Sequence, residues 1–206
     1  AEAAEPHLRG PEQATWLNHL DLEHDNLRAA LQWSLQNPAL LPPHAAEAAL
    51  RLAGALWVFW FIRGHFHEGR RWVDRALEVT PEPHVATPAY GKALYTAASF
   101  AFFQGDYERA GKLSTASLAL CQEIGDYFGI GISLHHLSML AVDQGDFAQA
   151  EQLLVEGLGL IRPLDDLWLR SVLLLDLGMV AEAQGQLERA KAFYTEALTL
   201  NRQRND

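Results

Sequence analysis

The stretch Gln104-Gly105-Asp106-Tyr107-Glu108-Arg109-Ala110 has two counterparts in this chain at a fixed spacing of 40 residues. The first counterpart is Gln144-Gly145-Asp146-Phe147-Ala148-Gln149-Ala150, and the second is Gln184-Gly185-Gln186-Leu187-Glu188-Arg189-Ala190. A fixed period of this length indicates one supersecondary unit stacked on copies of itself. The sequence therefore predicts a solenoid rather than a closed globule, and stacked repeats form extended recognition surfaces more often than catalytic clefts.

Each repeat reads as a helix, a glycine-containing turn, a second helix and a short polar loop. Gly105, Gly145 and Gly185 stand where the first helix must end, in a position that favours the left-handed backbone conformation. A degenerate fourth copy, with its turn at Arg63–Gly69, precedes the three clear ones. The predicted fold class is all-α: a right-handed solenoid of antiparallel helix pairs with repeats of about 40 residues.

An amphipathic helix is predicted before the repeats and is expected to cover the exposed end of the first pair. Its apolar positions are Trp16, Leu20, Leu27, Leu31 and Leu35, with Leu17, Ala30 and Trp33 nearby. A proline-containing linker from Asn37 to Pro43 follows it. The predicted organisation is a tail, capping helix and linker over 1–44 and a solenoid over 45–206, with pairs at about 45–85, 88–126, 128–166 and 168–206.

The composition disfavours several classes of partner. The formal net charge is −10 and the pI is about 5.3, so the surface repels phosphate backbones and anionic lipid. The longest apolar run, Leu52–Ile62, is too short for the roughly 20 residues that a membrane span needs. Cys121 is the single cysteine, which fits a reducing compartment. We expect a cytoplasmic protein without direct nucleic-acid or membrane contacts.

The histidines and carboxylates offer weak signals for chemistry. His65 and His67 lie in one predicted turn, whereas His135 and His136 are adjacent on a helix and point about 100° apart. A third ligand at a recognisable spacing is missing for either pair, so structural or solvated histidine is the better interpretation than a metal site. The sequence also contains no nucleophile motif, and Cys121 has no obvious activating partner. No catalytic residue, metal or cofactor is predicted, and the chain is expected not to be an enzyme.

The six tryptophans allow two interpretations. Trp57 and Trp60 are three residues apart and share one helical face, which suits either core packing or ligand stacking. Core packing is the more common role of aromatic residues in such a helix. We expect Trp16, Trp33, Trp72 and Trp168 to fill gaps between helices in the same way.

Small and large residues alternate within each pair in a way that resembles tetratricopeptide repeats. In the last pair these positions are Leu174, Leu177, Gly178, Ala181, Ala190, Tyr194 and Ala197. The resemblance implies close helix packing at the small residues and a groove lined by the first helix of every pair. The repeat exceeds the usual length of about 34 residues, which implies longer helices or wider loops.

A second resemblance concerns the first part of the chain. Leu22–Trp33, Leu52–Trp57, Phe59-Trp60, Arg63–His65 and Glu68–Trp72 are similar to the region that starts the repeats in bacterial signal-transduction ATPases, including LuxR-type transcriptional regulators. No phosphate-binding loop ending in Gly-Lys-Ser/Thr occurs in this sequence, so the resemblance covers the sensor region alone. It implies a sensor or scaffold part of such a regulator.

The first-helix face is the predicted binding surface, although each of its residues could instead belong to the core. The candidates are Arg51, Val58, Phe61, Lys92, Tyr95, Ser99, Phe102, His135, Met139, Val142, Leu175, Met179 and Glu182. Methionine and aromatic side chains suit an adaptable surface. The expected partner is a protein or peptide segment or a small-molecule inducer.

The alternative function is a stand-alone adaptor that assembles partners or associates with itself end to end. Asn205-Asp206 aligns with the polar loop that leads into another first helix in earlier copies. We therefore expect further repeats in the full protein and an apolar face at this end of the chain.

Overall fold

The computed structural model describes residues 1–36, 43–80 and 86–205, and helices dominate these ranges. The α-helices are α1 (Gln13–Gln36), α2 (Pro43–Ala55), α3 (Trp57–Arg63), α4 (Phe66–Glu78), α5 (Pro88–Phe103), α6 (Tyr107–Ile124), α7 (Tyr127–Asp143), α8 (Phe147–Leu160), α9 (Leu167–Ala183) and α10 (Leu187–Asn205). Short 3-10 helices occur at Glu5–Arg9 and Arg162–Leu164. Residues 37–42 of the predicted linker lie outside the described residues. Across the described ranges, every helix is too short or too polar to span a bilayer.

The chain forms two compact units, Ala1–Asp106 and Tyr107–Asp206. We call them unit 1 and unit 2. The division falls between α5 and α6, inside the second predicted helix pair. The predicted boundaries of the four pairs therefore stay predictions.

The repeated glycine turns have one geometry. Gly105, Gly145 and Gly185 adopt φ values of 77°, 78° and 75°, in the left-handed region. The amide after each glycine donates to the carbonyl five residues earlier, for example Asp146 N to Ala141 O at 2.9 Å. This Schellman arrangement satisfies carbonyls that the helix end would leave without partners. The predicted role of the repeated glycine is confirmed.

An aspartate precedes each of the three helices α7, α8 and α9 of unit 2. The side chains of Asp126, Asp146 and Asp166 accept hydrogen bonds from the amides of Gly129, Gln149 and Leu169 at 3.1, 2.9 and 2.9 Å. Each carboxylate satisfies an amide that has no partner inside its own helix. The polar loops of the repeat therefore set where the helices start.

In unit 1, α1 packs against α2 and α4, and α5 packs against α2 and α4. The largest side chains of its core are fully buried: Leu8, Leu31, Leu56, Phe59, Trp60 and Phe100. Gly69 on α4 allows a close approach, because a Cβ there would lie 2.4 Å from the ring of Phe100. The burial of Trp57 and Trp60 confirms their core interpretation.

In unit 2, each helix packs against the next along the chain, from α6 to α10. Its fully buried side chains include Leu134, Leu154, Ile161, Leu169, Leu173 and Leu177. Gly178 on α9 faces the ring of Tyr194 on α10, and a Cβ there would lie 2.2 Å from that ring. The small residue thus lets an aromatic ring lie against the α9 backbone.

One expectation about unit 1 is wrong, and one helical region of this unit is interrupted. The first helix of the first pair is divided at Leu56 into α2 and α3. Hydrogen bonds from Leu56 N to Leu52 O and from Trp60 N to Leu56 O carry the chain across this division. Trp33 does not fill a gap, because its side chain is 67% exposed. Leu31, Ser34 and Leu35 form the buried face of that turn of α1 instead.

Candidate partner-binding surface

The predicted binding residues of unit 2 lie on α7 and α9, which pack against each other. Nδ1 of His135 on α7 lies 2.5 Å from Oδ2 of Asp176 on α9. Asp176 is only 6% exposed, so this pair is shielded from water on the carboxylate side. A shielded ion pair or hydrogen bond is stronger than the same contact in water. It fixes the two helices and the imidazole in one arrangement.

Apolar side chains extend from this pair along the same two helices. Leu175 and Met179 on α9 are 40% and 46% exposed, and Met139 and Val142 on α7 are half-buried. At the far end of α9, Glu182 accepts a hydrogen bond from the hydroxyl of Tyr194 at 2.8 Å. Burial and this bond raise the pKa of Tyr194. The six predicted residues of unit 2 recur at helical spacing on these two contacting helices, and we call them the α7–α9 face: His135, Met139, Val142, Leu175, Met179 and Glu182.

The predicted residues of unit 1 have more varied surroundings. Val58, Tyr95 and Ser99 are at most 5% exposed, so they form part of the core rather than an accessible surface. Phe61 is half-buried against the rings of Phe66 and Phe103, with centroid distances of 5.5 and 4.8 Å. Phe102 contacts the same Phe103 ring at 5.6 Å.

The two predicted cations of unit 1 are paired with the beginning of the chain. Arg51 on α2 donates two hydrogen bonds to the carboxylate of Glu2, both at 2.7 Å. Lys92 on α5 binds both oxygens of Glu5, at 2.5 and 2.6 Å. The hydrogen bonds from Arg51 lower the pKa of Glu2. Residues from the first helices of unit 1 thus bind a segment of their own chain.

Comparison with known families identifies the repeats. Tetratricopeptide-repeat models match residues 90–162 and 172–204, which together make up about half of the chain. The chain belongs to the tetratricopeptide-repeat family. Repeats of this family form protein-interaction modules, and the matched residues include all six residues of the α7–α9 face.

Solved structures show the same fold. BtubC (BKLC) from P. vanneervenii superposes with a TM-score of 0.70 at 18% identity, over 94% of this chain and 80% of that one. The "putative kinesin light chain nearly identical TPR-like repeats" of Podosopora anserina give a TM-score of 0.57 at 15% identity, over 89% of this chain and 95% of that one. The predicted fold class, an all-α tetratricopeptide-type solenoid of helix pairs with a capping helix, is confirmed.

Curated relatives match a shorter part of the chain. Proteins of Mycobacterium bovis and Mycobacterium tuberculosis named "Putative HTH-type transcriptional regulator" are 45% identical to it over 58 residues. The match covers 28% of this chain and 6% of the relatives' length. This tetratricopeptide-repeat chain therefore corresponds to a small part of those proteins.

The segments that resemble bacterial regulators meet in a charged network of unit 1. Arg28 on α1 donates to both oxygens of Glu68 on α4, at 2.7 and 2.6 Å. Trp72 Nε1 donates to the same carboxylate at 3.3 Å, and His24 Nε2 lies 3.3 Å from it. The hydrogen bonds from Arg28 hold the pKa of Glu68 at about 2. These residues fasten the capping helix to the first helix pair.

An open cleft lies beside this network in unit 1. Its volume is about 750 Å³. It is lined by Arg28, Gln32, Leu35, Gln36, Arg71, Trp72, Asp74, Arg75 and Glu78. The guanidinium of Arg71 lies 5.0 Å from the ring centroid of Trp72. Charges of both signs line the cleft.

Cys121 and His136 of unit 2 are buried, and burial shifts the pKa of each towards its uncharged form. Burial raises the pKa of Cys121 to about 11, so its thiol stays protonated near neutral pH. Burial also lowers the pKa of His136 well below its ordinary value, which keeps this imidazole neutral. Among the residues that the structure describes, no group of three or more His, Cys, Asp or Glu side chains could hold a metal ion.

Sequence reasoning missed Glu2, Glu5 and Asp176. Asp176 had a usable signal, because it is the single charged residue in the apolar run Ser171–Ala181 and aligns with His136 one repeat earlier. Glu2 and Glu5 had none, because their partners lie 49 and 87 residues away. Contacts at that separation depend on the packing of helices rather than on a local pattern.

Proposed function

We propose that this chain is the partner-binding part of a bacterial transcriptional regulator and that the α7–α9 face binds a protein or peptide segment. The observation that carries the proposal is the exposure of Leu175 and Met179 on a first-helix face. On these two helices of unit 2, the shielded polar pair of His135 and Asp176 accompanies the exposed apolar side chains of Leu175 and Met179. An apolar surface with a few placed polar groups is the usual composition of a binding site.

The side chains of this face suit an extended or helical segment. Met139 and Met179 are unbranched and adapt their shape to an apolar partner. Glu182, at the far end, adds a carboxylate that a basic residue of the partner would pair with. The side chains of Leu175 and Met179 are nearly half exposed on a helix surface, which favours a segment of protein over a small inducer.

The regulatory role rests on the match to the mycobacterial proteins. The 45% identity over 58 residues supports a shared type of repeat region, and a regulator needs a part that senses a partner. Binding would act by a difference in affinity between two states of the full regulator. A cytoplasmic location belongs to the same proposal.

Site-specific photo-crosslinking tests the binding face. A crosslinking amino acid at Met179 should capture a defined partner from bacterial extract, and the same amino acid at Val155 should not. Val155 is the matched control because it is 55% exposed but lies on α8, a second helix. The double variant Met139→Ala/Met179→Ala should weaken binding of the identified partner about tenfold or more, since each buried apolar contact contributes about 1 kcal/mol.

Equal capture at Met179 and Val155, or unchanged affinity of the double variant, would contradict this assignment of the face. Far-UV circular dichroism must show unchanged helicity, because both methionines are at least partly exposed. A thermal-shift screen of small metabolites against the wild-type chain tests the alternative, that the face binds a small inducer. A specific stabilisation that Met179→Ala removes would identify a small inducer instead.

A second candidate function, self-association, has its own observation. Leu187 and Leu198 on α10 are 66% and 50% exposed and border an apolar depression of about 330 Å³ beside Tyr194. Exposed apolar patches of this kind often mark association surfaces. Light scattering over a wide concentration range tests this function. A mass that rises with concentration, and that Leu187→Glu/Leu198→Glu returns to the monomer, would support the adaptor.

A further inference from the structure

The segment Ala1–Arg9 lies on the first helices of unit 1. Glu2 pairs with Arg51 on α2, and Glu5 pairs with Lys92 on α5. The 3-10 helix within the segment, Glu5–Arg9, packs against α3 and α1. Both cations were predicted from the sequence to line a binding groove. The residues predicted to bind a partner thus bind a short acidic stretch of the same chain.

The two ion pairs differ in strength because they differ in burial. The side chains of Lys92 and Glu5 are 26% and 16% exposed, whereas those of Arg51 and Glu2 are 53% and 55% exposed. Water and salt screen an exposed pair and weaken it. The contact between Glu5 and Lys92 is therefore the principal one, and the contact between Glu2 and Arg51 supplements it.

The backbone of α2 is shaped to let Lys92 reach this position. A Cβ on Gly54 would lie 2.6 Å from Cδ of Lys92 and 2.7 Å from its Cγ. The aliphatic part of Lys92 therefore runs across the helix where Gly54 leaves room. A residue larger than glycine at position 54 would force this part of the Lys92 side chain to shift.

Apolar side chains of the segment complete the contact. Ala4 is 2% exposed and Leu8 is fully buried, so the segment presents two carboxylates and two apolar groups within seven residues. The ring of His7 stacks on Trp16 at 4.9 Å, and Gln13 Nε2 donates to Leu8 O at 2.7 Å. These contacts with α1 hold the segment near the cations.

We propose that the surface of α2 and α5 that carries Arg51 and Lys92, here called the Arg51–Lys92 face, is a binding site for an acidic, alanine-rich peptide segment, and that Ala1–Arg9 occupies it as a tethered ligand. The pattern recognised is a glutamate, a small residue two positions later, a second glutamate next to it, and a leucine three positions further on. A chain with a net charge of −10 otherwise repels acidic peptides, so the two cations set the sign of the ligand.

The covalent connection of Ala1–Arg9 to the rest of the chain explains why this segment occupies the Arg51–Lys92 face. A covalently linked ligand acts at an effective concentration in the millimolar range, which a free peptide must exceed. A partner with the same acidic pattern would replace the segment once the ion pairs of Glu2 and Glu5 with the two cations are broken. This inference goes beyond the proposed function, because it names an acidic peptide as a partner on a face separate from the one on α7 and α9.

Fluorescence anisotropy with a labelled, acetylated peptide of residues 1–10 tests the inference. The full chain carrying Glu2→Gln/Glu5→Gln should bind the peptide at least about tenfold more tightly than the wild-type chain, because its own segment competes less well. Adding Arg51→Gln/Lys92→Gln to that variant should abolish the gain. A peptide with glutamine at both glutamate positions should bind neither chain.

A charge exchange supplies an independent measurement. The chain carrying Arg51→Glu/Lys92→Glu repels its own segment and should bind a peptide with lysine at positions 2 and 5, but not the natural peptide. Circular dichroism of each variant confirms that it is folded. Peptide binding that is equal in all folded variants, or absent from both the opened chain and the charge-exchanged chain, overturns the proposal.

The outcome of this experiment is independent of the outcome of the test of the proposed function. It changes only residues of unit 1 and uses a peptide of known sequence, whereas the crosslinking test uses Met139 and Met179 and a partner from extract. A negative result here with crosslinking intact removes the acidic-peptide site alone. A positive result here with no crosslinking at Met179 places partner binding on unit 1.

Discussion

Unit 1 and unit 2 are both built from helix pairs, yet the first helices of unit 1 carry charged side chains where those of unit 2 carry apolar ones. On the first helices of unit 1, Arg51 and Lys92 are paired with acids from the beginning of the chain. On those of unit 2, Leu175 and Met179 are exposed. The comparison teaches that the helix-pair architecture fixes where a binding surface lies, while a few side chains decide whether it is charged or apolar.

The units also differ in how they are held together. Unit 2 repeats one device, an aspartate cap before a helix and a glycine turn after it. Unit 1 depends on a network specific to its position, in which Glu68 gathers Arg28, Trp72 and His24. Substitutions that strongly lower the stability of unit 1 should therefore be concentrated at a few residues. In unit 2 the loss of stability should be distributed over many positions.

The largest effect is expected at Glu68. Glu68→Gln removes the bidentate carboxylate partner of Arg28, which keeps only its exposed contact with Asp25. Because Arg28 is partly exposed, we expect the free energy of unfolding to fall by about 1–2 kcal/mol. Glu78→Gln, on the exposed side of the same helix, is the matched control and should change it by less than about 0.5 kcal/mol. Urea unfolding followed by circular dichroism measures both. Equal effects of the two substitutions would show that the network does not hold α1 to α4.

The same network predicts a dependence on acid. The folded-state pKa of Glu68 is about 2, below its ordinary value of 4.5, so its stabilising contribution is fully present above pH 4.5. That contribution is lost as the pH falls from 4.5 towards 2, because the unfolded chain then binds the proton more readily. The difference in stability between the wild-type chain and Glu68→Gln should therefore shrink over this range. A difference that stays constant down to pH 3 would contradict the cause assigned to the shift.

Two glycines of unit 2 should respond in opposite directions. Gly178→Ala would place a Cβ 2.2 Å from the ring of Tyr194, and we expect a loss of about 1–2 kcal/mol. Gly159 on α8 has no neighbouring atom within 4 Å of a Cβ, so Gly159→Ala should stabilise the protein by about 0.5–1 kcal/mol through helix propensity. Thermal unfolding of both variants provides the measurement. A stabilising Gly178→Ala would mean that the Tyr194 ring moves aside without loss.

Most of the fold was open to prediction because its signals are local. The Gln-Gly turn requires only that one residue adopt a positive φ and that its neighbours complete the helix end, so Gly105, Gly145 and Gly185 reveal it directly. Trp33 shows the limit of the same reasoning. Its position is compatible with the apolar pattern of α1, but Leu31 and Leu35 already fill the available contact, so the ring is left in solvent.

The candidate sites were predictable only in part. The periodicity indicated that His135, Met139, Leu175 and Met179 would share a face, and the distance between His135 and Asp176 supports this for α7 and α9. The periodicity did not reveal that Val58, Tyr95 and Ser99 would be buried. A repeat pattern assigns a residue to one side of a helix, and neighbouring elements then decide whether that side is covered.

The sequence by itself determined the repeat length and the all-α fold class, because these follow from the short-range rules for helix ends and from apolar periodicity. Only the tertiary structure decided which predicted cations are available. Glu5 and Lys92 are 87 residues apart in sequence and meet because the 3-10 helix Glu5–Arg9 packs on α1 and α3 while α5 packs on α2. Contacts between distant residues depend on how helices pack, and neither composition nor spacing encodes that directly.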